Sequence, residues 1–333
     1  MKITNLIRNT DKLKTRMALD VIHGLTSKPK FIYSQYFYDD KGSNLFQKLT
    51  KTEDYYLTNC EYEILKKISD EIPQLLDHGT AKIVDLIEFG VGDGHKSRLV
   101  IHSLLDREFK VNYYPIDISG RALDLLQDNL CSHNLLETHG LIADYIDGLS
   151  SIKDKSNHLK MVLFLGSSIG NFEPKKSREF LRRVKSNLNA GDYILMGFDQ
   201  KKDIGVLHRA YNDAEGITRE FNLNILEHIN RELGANFIID NFEHHGFYNP
   251  HSGAMESFLI SLCEQKVVVR DFEQAITFHQ FEPIHLEYSH KYLLSEIESL
   301  CNETGFTMVN NFFDDKNYYV NSLWRVRQRG PNG

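Results

Sequence analysis

The chain lacks the cysteine spacing of a zinc site or a disulfide framework. No two of its four cysteines form a C-x-x-C pair, and they lie far apart at Cys60, Cys131, Cys263 and Cys301. We therefore expect reduced thiols, as in cytosolic proteins. The sequence also has no linker rich in Gly, Pro or Ser, so domain boundaries are inferred from changes of pattern.

Long apolar runs are missing as well. The longest, "MVLFL" at 161–165, is far shorter than the roughly 20 residues that a membrane span requires. The first 20 residues interrupt their apolar positions with charges and contain no signal-peptide core. These absences predict a cytoplasmic protein without a membrane partner.

The sequence has no excess of positive charge. Lys and Arg number 39 against 46 Asp and Glu, giving a net charge of -7, and the basic residues are scattered. A nucleic-acid partner is therefore disfavoured. The adjacent His244 and His245 fall on one predicted strand and point to opposite faces, so the histidines suggest no metal site. We expect a monomer that binds a small molecule.

What is present, from residue 81 onward, is an alternation of short strand-like runs with helical periodicity. This alternation predicts an α/β fold with a parallel sheet and crossover helices. The predicted strands cover 81–89, 110–117, 139–145, 158–166 and 192–199.

The pattern changes after Asp199. Residues 203–234 are predicted to be almost entirely helical, and short strands follow near 242–249, 255–262 and 266–270. A helix near 294–304 precedes two strands, in 306–315 and 318–326, which predict an antiparallel hairpin at the edge of the parallel sheet.

A glycine-rich turn follows the first predicted strand in "LIEFGVGDGHKSRLV". Gly90, Gly92 and Gly94 form G-x-G-x-G at the strand's carboxyl end, where open α/β sheets bind ligands. The next strand ends in Asp117, at a distance suited to an acid that hydrogen-bonds ribose hydroxyls, and the third ends in Asp144 and Tyr145, which suit an adenine. Together these residues indicate an adenosine-type ligand.

The charges of the loop favour one such ligand. The third glycine comes one residue too early for a dinucleotide site, and the carboxylates of Glu88 and Asp93 would repel a pyrophosphate. They suit the sulfonium and ammonium groups of S-adenosylmethionine. Lys96, just after the loop, is assigned to the same cofactor site.

Several long strings resemble the L-histidine Nα-methyltransferases of the ergothioneine pathway. The resemblance extends from about residue 30 to Val326, and its strongest segments are "YFYDDKGSNLF", "EDYYLTNCEYEIL", "FLGSSIGNFEP", "YNDAEGITREFNLNILEHINRELGA", "LEYSHKY" and "SLWRV". It implies a class I, Rossmann-like methyltransferase core, in 61–199 and 292–333, and a substrate-binding domain, in 1–60 and 200–291.

The resemblance also implies a reaction: S-adenosylmethionine would methylate the α-amino group of L-histidine, up to three times, with S-adenosylhomocysteine as product. Tyr38, Phe46 and Tyr55 would line the amino-acid site. The Gly166 backbone and Asn171 would meet the substrate's amino and carboxylate groups.

Three further roles follow from the same resemblance. Tyr211 would join Asn171 at the carboxylate, and Glu287 and Ser289 would hold the imidazole. A carboxylate such as Glu287 is a suitable acceptor for a ring N–H.

The chain departs from the family where the family usually has Met after Ile-Glu. Here "AMESF" places Ser257 at that position, and a smaller, polar side chain would enlarge the space for the ring. An N-methyltransferase for another aromatic amino acid, such as tryptophan or tyrosine, is therefore an alternative. An NAD-dependent oxidoreductase and a non-catalytic binding protein are two others.

Overall fold

A computed structural model describes residues 1–7, 10–77, 82–130 and 132–328. The chain divides into two compact units. The first contains Met1–Ile7, Leu57–Lys201 and Lys291–Gly333, and the second contains Arg8–Tyr56 and Lys202–His290. Ala81, the first residue of a predicted strand, and Cys131 lie outside the described residues.

The helices of the described chain are α1 (Thr10–Thr26), α2 (Asp40–Leu49), α3 (Tyr56–Ile68), α4 (Ile72–Leu76), α5 (Ser97–Asp106), α6 (Gly120–Asn129), α7 (Tyr145–Ile152), α8 (Pro174–Ser186), α9 (Ile204–Tyr211), α10 (Ile217–Leu233) and α11 (Leu294–Thr304). Short 3₁₀ turns cover Ser34–Phe37, Ser168–Asn171, Ile239–Asn241 and Arg270–Phe272.

The strands are β1 (Lys2–Asn5), β2 (Lys30–Phe31), β3 (Ile83–Phe89), β4 (Lys110–Asp117), β5 (Leu136–Ile142), β6 (Leu159–Phe164), β7 (Tyr193–Asp199), β8 (Phe242–Asn249), β9 (Ala254–Ser261), β10 (Gln265–Val269), β11 (Gln274–Phe278), β12 (Pro283–His290), β13 (Phe306–Phe313) and β14 (Tyr319–Val326).

The first unit is built on one sheet with the strand order β1-β5-β4-β3-β6-β7-β14-β13. The six strands β1, β5, β4, β3, β6 and β7 pair in parallel, and β14 pairs antiparallel with both β7 and β13. The central strands β3, β6 and β7 are almost wholly buried because helices cover the sheet, and they consist mostly of apolar residues. The predicted α/β class I core with its antiparallel C-terminal hairpin is confirmed.

The second unit combines a four-stranded sheet, in the order β2-β12-β9-β8, with a two-stranded sheet of β10 and β11. The apolar side of α10, including Phe221, Ile225, Leu226 and Ile229, is buried in the core of this unit. The periodicity that predicted this helix therefore also identified its buried face.

The predicted helical stretch 203–234 is divided in two. The carboxylate of Asp213 accepts hydrogen bonds from the backbone N–H groups of Ile217 (2.8 Å) and Thr218 (2.7 Å). Gly216 adopts a left-handed conformation with φ of 74°. This cap begins α10 as a new helix, since it satisfies amide groups that have no partner within the helix.

Residues 1–7 were expected in the second domain, but the structure places them in the first unit. Strand β1 pairs in parallel with β5, with Lys2 opposite His139 and Asn5 opposite Ile142. All four residues of β1 are exposed, so the strand lacks the buried alternation that makes a strand visible in a sequence.

Two further observations concern the described residues alone. No disulfide joins Cys60, Cys263 and Cys301. None of the helices within these ranges has the length and hydropathy needed to cross a membrane.

Leu226→Ala should destabilise the second unit by about 2–5 kcal/mol, because it leaves a cavity where a fully buried side chain packs. Leu19→Ala is the control, since Leu19 of the same unit is 62% exposed and its loss should change stability by at most about 0.5 kcal/mol. Urea denaturation of both variants tests this, and equal losses would contradict the assignment of the core.

Candidate active site

The loop that follows β3 has the backbone that its glycines predict. Gly90, Gly92 and Gly94 have φ values of 70°, 53° and 71°, which glycine adopts without the strain of a side chain. A Cβ atom at Gly92 would have no atom within 4 Å, whereas one at Gly90 would lie 2.8 Å from the Tyr145 hydroxyl. The loop thus offers bare backbone that a ligand can approach closely.

Asp117 fixes this loop from the end of β4. One carboxylate oxygen accepts from the backbone N–H of Val91 (3.1 Å), and the other accepts from Ser119 (2.9 Å). Burial raises the pKa of Asp117. Each oxygen has a second lone pair, so the carboxylate can still accept hydrogen bonds from two ribose hydroxyls. The structure therefore brings Asp117 and the glycine loop together, as the sequence predicted.

Glu88 is buried at the end of β3, and the hydroxyl of Tyr113 donates a hydrogen bond to it. Burial raises the pKa of Glu88 to about 7, although the Tyr113 hydrogen bond and the nearby charge of Lys96 oppose the rise. At neutral pH Glu88 is thus only partly ionised. Its charge contributes less to attracting a cation than the sequence alone suggests.

Asp144 and Tyr145 have structural roles at the same edge of the sheet. The Asp144 side chain caps α7 by accepting from the Ile146 N–H (3.0 Å). The Tyr145 ring stacks on Phe89, with ring centroids 5.1 Å apart. Burial raises the pKa of Tyr145, and the charges of Asp117 and Asp144 add to the effect. The predicted adenosine residues are therefore gathered in one place.

Lys96 forms an ion pair with Glu61 of α3, with 2.5 Å between Nζ and Oε2. A Cβ atom at Gly166 would lie 3.6 Å from Nζ, so Lys96 stands beside the loop that follows β6. Sequence reasoning missed Glu61. The available signal was an acidic residue on the apolar face of an amphipathic helix, between the buried residues Leu57 and Leu65.

Several hydrogen bonds hold the loop after β6 in an uncommon conformation. Gly166 and Ser167 have φ values of 78° and 56°. The Gly166 N–H donates to Glu61 (2.8 Å), and the Asp199 N–H donates to the Ser167 hydroxyl (2.9 Å). Of the two backbone groups of Gly166, only the carbonyl oxygen can accept a hydrogen bond from an amine. Asn171 ends the 3₁₀ turn of this loop.

In the second unit, Tyr38, Phe46 and Tyr55 form one aromatic cluster. The ring centroids of Tyr38 and Phe46 are 5.7 Å apart, and those of Phe46 and Tyr55 are 6.2 Å apart, both edge-to-face. Phe221 of α10 packs against both Tyr38 and Phe46. The structure thus brings together the three residues that the resemblance grouped. The helical periodicity predicted only that Phe221 lies on the apolar face of its helix.

The other predicted substrate residues converge on the four-stranded sheet of this unit. The Tyr211 and Ser289 hydroxyls are 2.6 Å apart in a buried hydrogen bond. Ser257 on β9 lies directly opposite Glu287 on β12, so their side chains share one face of the sheet. Ser257 is 4% exposed and presents a small hydroxyl on this face.

Among the described residues, no group of three or more His, Cys, Asp or Glu is placed to hold a metal ion. His244 is held by Asn222 (2.9 Å) and by the backbone carbonyl of Tyr211 (3.0 Å). Burial lowers its pKa. A neutral imidazole with two hydrogen-bond partners is a structural residue of β8.

A protein-family model described as "Histidine-specific methyltransferase, SAM-dependent" matches residues 17–326 of the chain. A histidine N-alpha-methyltransferase of Mycolicibacterium smegmatis is 32% identical over 91% of this chain and 93% of its own. Ergothioneine biosynthesis protein 1 of Neurospora crassa is 31% identical over 90% of this chain and 34% of its own. An L-tryptophan methyltransferase of Psilocybe serbica is 26% identical over 90% of each chain.

Glu88→Gln should alter the pH dependence of stability. The pKa of Glu88 rises from 4.5 to about 7 on folding, so the folded state takes up a proton between these values. This contribution to stability is present at low pH and is lost as the pH rises through about 7. The free energy of unfolding of the wild type should therefore fall, relative to that of the variant, between pH 4.5 and 7. Parallel curves in urea titrations at several pH values would contradict this pKa.

Proposed function

Because the chain belongs to the family of histidine-specific, S-adenosylmethionine-dependent methyltransferases, we propose that it methylates the α-amino nitrogen of L-histidine. The observation that carries the proposal is the sheet face shared by the buried Ser257 and the partly buried Glu287 in the second unit, with Tyr211 bonded to Ser289. The Glu287 carboxylate and the hydroxyls of Ser257 and Ser289 can form hydrogen bonds with a small polar ring. Those are the groups that an imidazole needs.

The residues of the first unit fit S-adenosylmethionine. Asp117 presents acceptors for the ribose, the glycine loop leaves space for close approach at Gly92, and Lys96 would supply a cation for the carboxylate of the methionine part. Asp144 and Tyr145 flank the adenine. The cofactor supplies an electrophilic methyl group, which the substrate amine accepts.

The protein's own residues hold and orient the amino acid. We assign the substrate carboxylate to Tyr211 of the second unit, which provides a neutral donor. The contacts that the resemblance implies for Gly166 and Asn171 stay predictions. Glu287 accepts the ring N–H in a charge-assisted bond. Fixed orientation alone can supply roughly 7–11 kcal/mol of the barrier, so no covalent catalyst is required.

The amine must lose its proton before it reacts. We propose that the proton leaves to solvent through a relay of water or the Tyr38 hydroxyl, which accepts one proton as it releases its own. The Tyr38 ring would then stabilise the methylammonium by a cation–π contact. Three rounds of the reaction give histidine betaine. The monomeric state and the cytoplasmic location expected from the sequence stay predictions.

A direct test incubates the purified protein with S-adenosylmethionine and a mixture of the 20 common amino acids. Mass spectrometry should show one, two and three added methyl groups on histidine. Methylation of another amino acid, such as tryptophan, with histidine left unmodified would contradict the proposal.

Glu287→Ala should raise the KM for histidine roughly ten- to a hundredfold, because a charge-assisted hydrogen bond contributes about 1.5–3 kcal/mol. The KM for S-adenosylmethionine should stay within about twofold. Glu243→Ala on β8 is the matched control, since Glu243 is exposed and pairs with Arg219. An equal rise of the KM values for histidine and S-adenosylmethionine in Glu287→Ala would mean that Glu287 does not hold the ring.

Ser257 favours a second candidate, an N-methyltransferase that also accepts a larger aromatic amino acid. Ser257→Met should lower kcat/KM for tryptophan relative to histidine, because a longer side chain fills space opposite Glu287. One or two methylene-sized groups change such ratios about 10- to 200-fold. An unchanged ratio of the two specificity constants would remove Ser257 as a determinant of substrate size.

A further inference from the structure

Four donors converge on the carboxylate of Glu61, which is fully buried in α3. Oε2 accepts from Lys96 Nζ (2.5 Å) and from the Gly166 N–H (2.8 Å). Oε1 accepts from the Tyr319 hydroxyl (3.0 Å) and from the Asn321 amide (3.1 Å). A carboxylate has about four acceptor positions, so these donors use its full capacity.

The two oxygens serve different parts of the first unit. Oε1 is anchored to β14, where Tyr319 and Asn321 are both 0% exposed. Oε2 faces the Gly166 loop and Lys96, the residues at which ligands are expected. Glu61 therefore connects a rigid strand of the sheet with groups on two ligand-binding loops.

Gly197 of β7 provides the space for this arrangement. A Cβ atom there would lie 2.2 Å from Glu61 Oε1 and 2.2 Å from the Tyr319 hydroxyl. Any side chain at position 197 would displace the carboxylate or the tyrosine. A glycine is otherwise unfavourable within a strand, so its place here is explained by the close approach of Glu61.

Lys96 gains a defined position from the same contact. Its side chain is long and flexible, and its ammonium carries three N–H donors. Glu61 takes one of these donors, which leaves two for the carboxylate at the amino-acid end of S-adenosylmethionine. We assign the nucleoside end to Asp117 and the glycine loop; none of the four donors to Glu61 belongs to Asp117 or to residues 90–94.

We propose that Glu61 is a positioning residue that orients Lys96 and the Gly166 loop toward the amino-acid end of the cofactor. The inference rests on the proposed role of Lys96 in cofactor binding. It predicts that Glu61 affects binding of the amino-acid end and leaves binding of the nucleoside end unchanged.

Two ligands separate these ends: S-adenosylhomocysteine has both, and 5′-methylthioadenosine lacks the amino-acid end. In calorimetry, Glu61→Gln should lower the affinity for S-adenosylhomocysteine about 10- to 100-fold, as expected when a charge-assisted hydrogen bond is lost. Methylthioadenosine should bind within about twofold of the wild type. Equal weakening of both ligands would mean that Glu61 only supports the fold, and the proposal would be overturned.

Glu63→Gln is the matched control on the same helix, because Glu63 pairs with Lys67 and its side chain is 37% exposed. Neither ligand should be affected by this change. In a double-mutant cycle, Lys96→Met should cost S-adenosylhomocysteine binding much less in the Glu61→Gln background than in the wild type. Additive losses would show that Glu61 does not act through Lys96, and would also overturn the proposal.

Tyr319→Phe provides a second route if Glu61→Gln does not fold. It removes one hydrogen bond to Oε1 and should lower the affinity for S-adenosylhomocysteine about threefold. The affinity for methylthioadenosine should not change. Loss of both ligands alike would again overturn the proposal. The proposed function fails by a different result, namely a wild-type protein that binds neither ligand or binds them without methylating an amino acid.

Discussion

The contact between the Glu61 carboxylate and its four donors is the interaction on which the geometry of the first unit depends. It joins α3, the turn before α5, the loop after β6 and strand β14 at one buried anion. A hydrogen bond to a buried charged group contributes about 1.5–3 kcal/mol, so each of these donors stabilises the arrangement. The loops that carry Lys96 and Gly166 are thereby held in place before any ligand arrives.

Preorganisation also explains the backbone of these loops. Left-handed residues at Gly90, Gly92, Gly94 and Gly166 turn the chain sharply at the carboxyl ends of β3 and β6. Ser167 shares this conformation despite its side chain, and the bond between its hydroxyl and the Asp199 N–H compensates for the strain. Methyl transfer depends on orientation more than on acid or base strength, so fixed loops suit the proposed reaction.

Much of this architecture could be predicted from the sequence. Apolar runs and glycine turns located β3, β4, β6 and β7, and the sheet's parallel order then placed Asp117 beside the glycine loop. Grouping Tyr38, Phe46 and Tyr55 required the resemblance to a family, because no periodic pattern joins them. The bond between Tyr211 and Ser289 was not predicted. Without the resemblance, each of these residues would be interpreted as an ordinary core or surface residue.

Other features depend on tertiary contacts that leave little trace in the sequence. Strand β1 is exposed on both faces, so its pairing with β5 has no periodic signal. The break before α10 depends on one capping side chain, Asp213. Glu61 was visible only as an acid on an apolar helix face, and its four donors come from residues up to 260 positions away in the chain.

The position of the transferred methyl group tests the central claim most directly. If Glu287 holds the imidazole and the α-amino group is the nucleophile, tandem mass spectrometry of the histidine product should place every added methyl group on the α-nitrogen. A methyl group on a ring nitrogen would contradict the account, because the imidazole would then have occupied the place assigned to the amine.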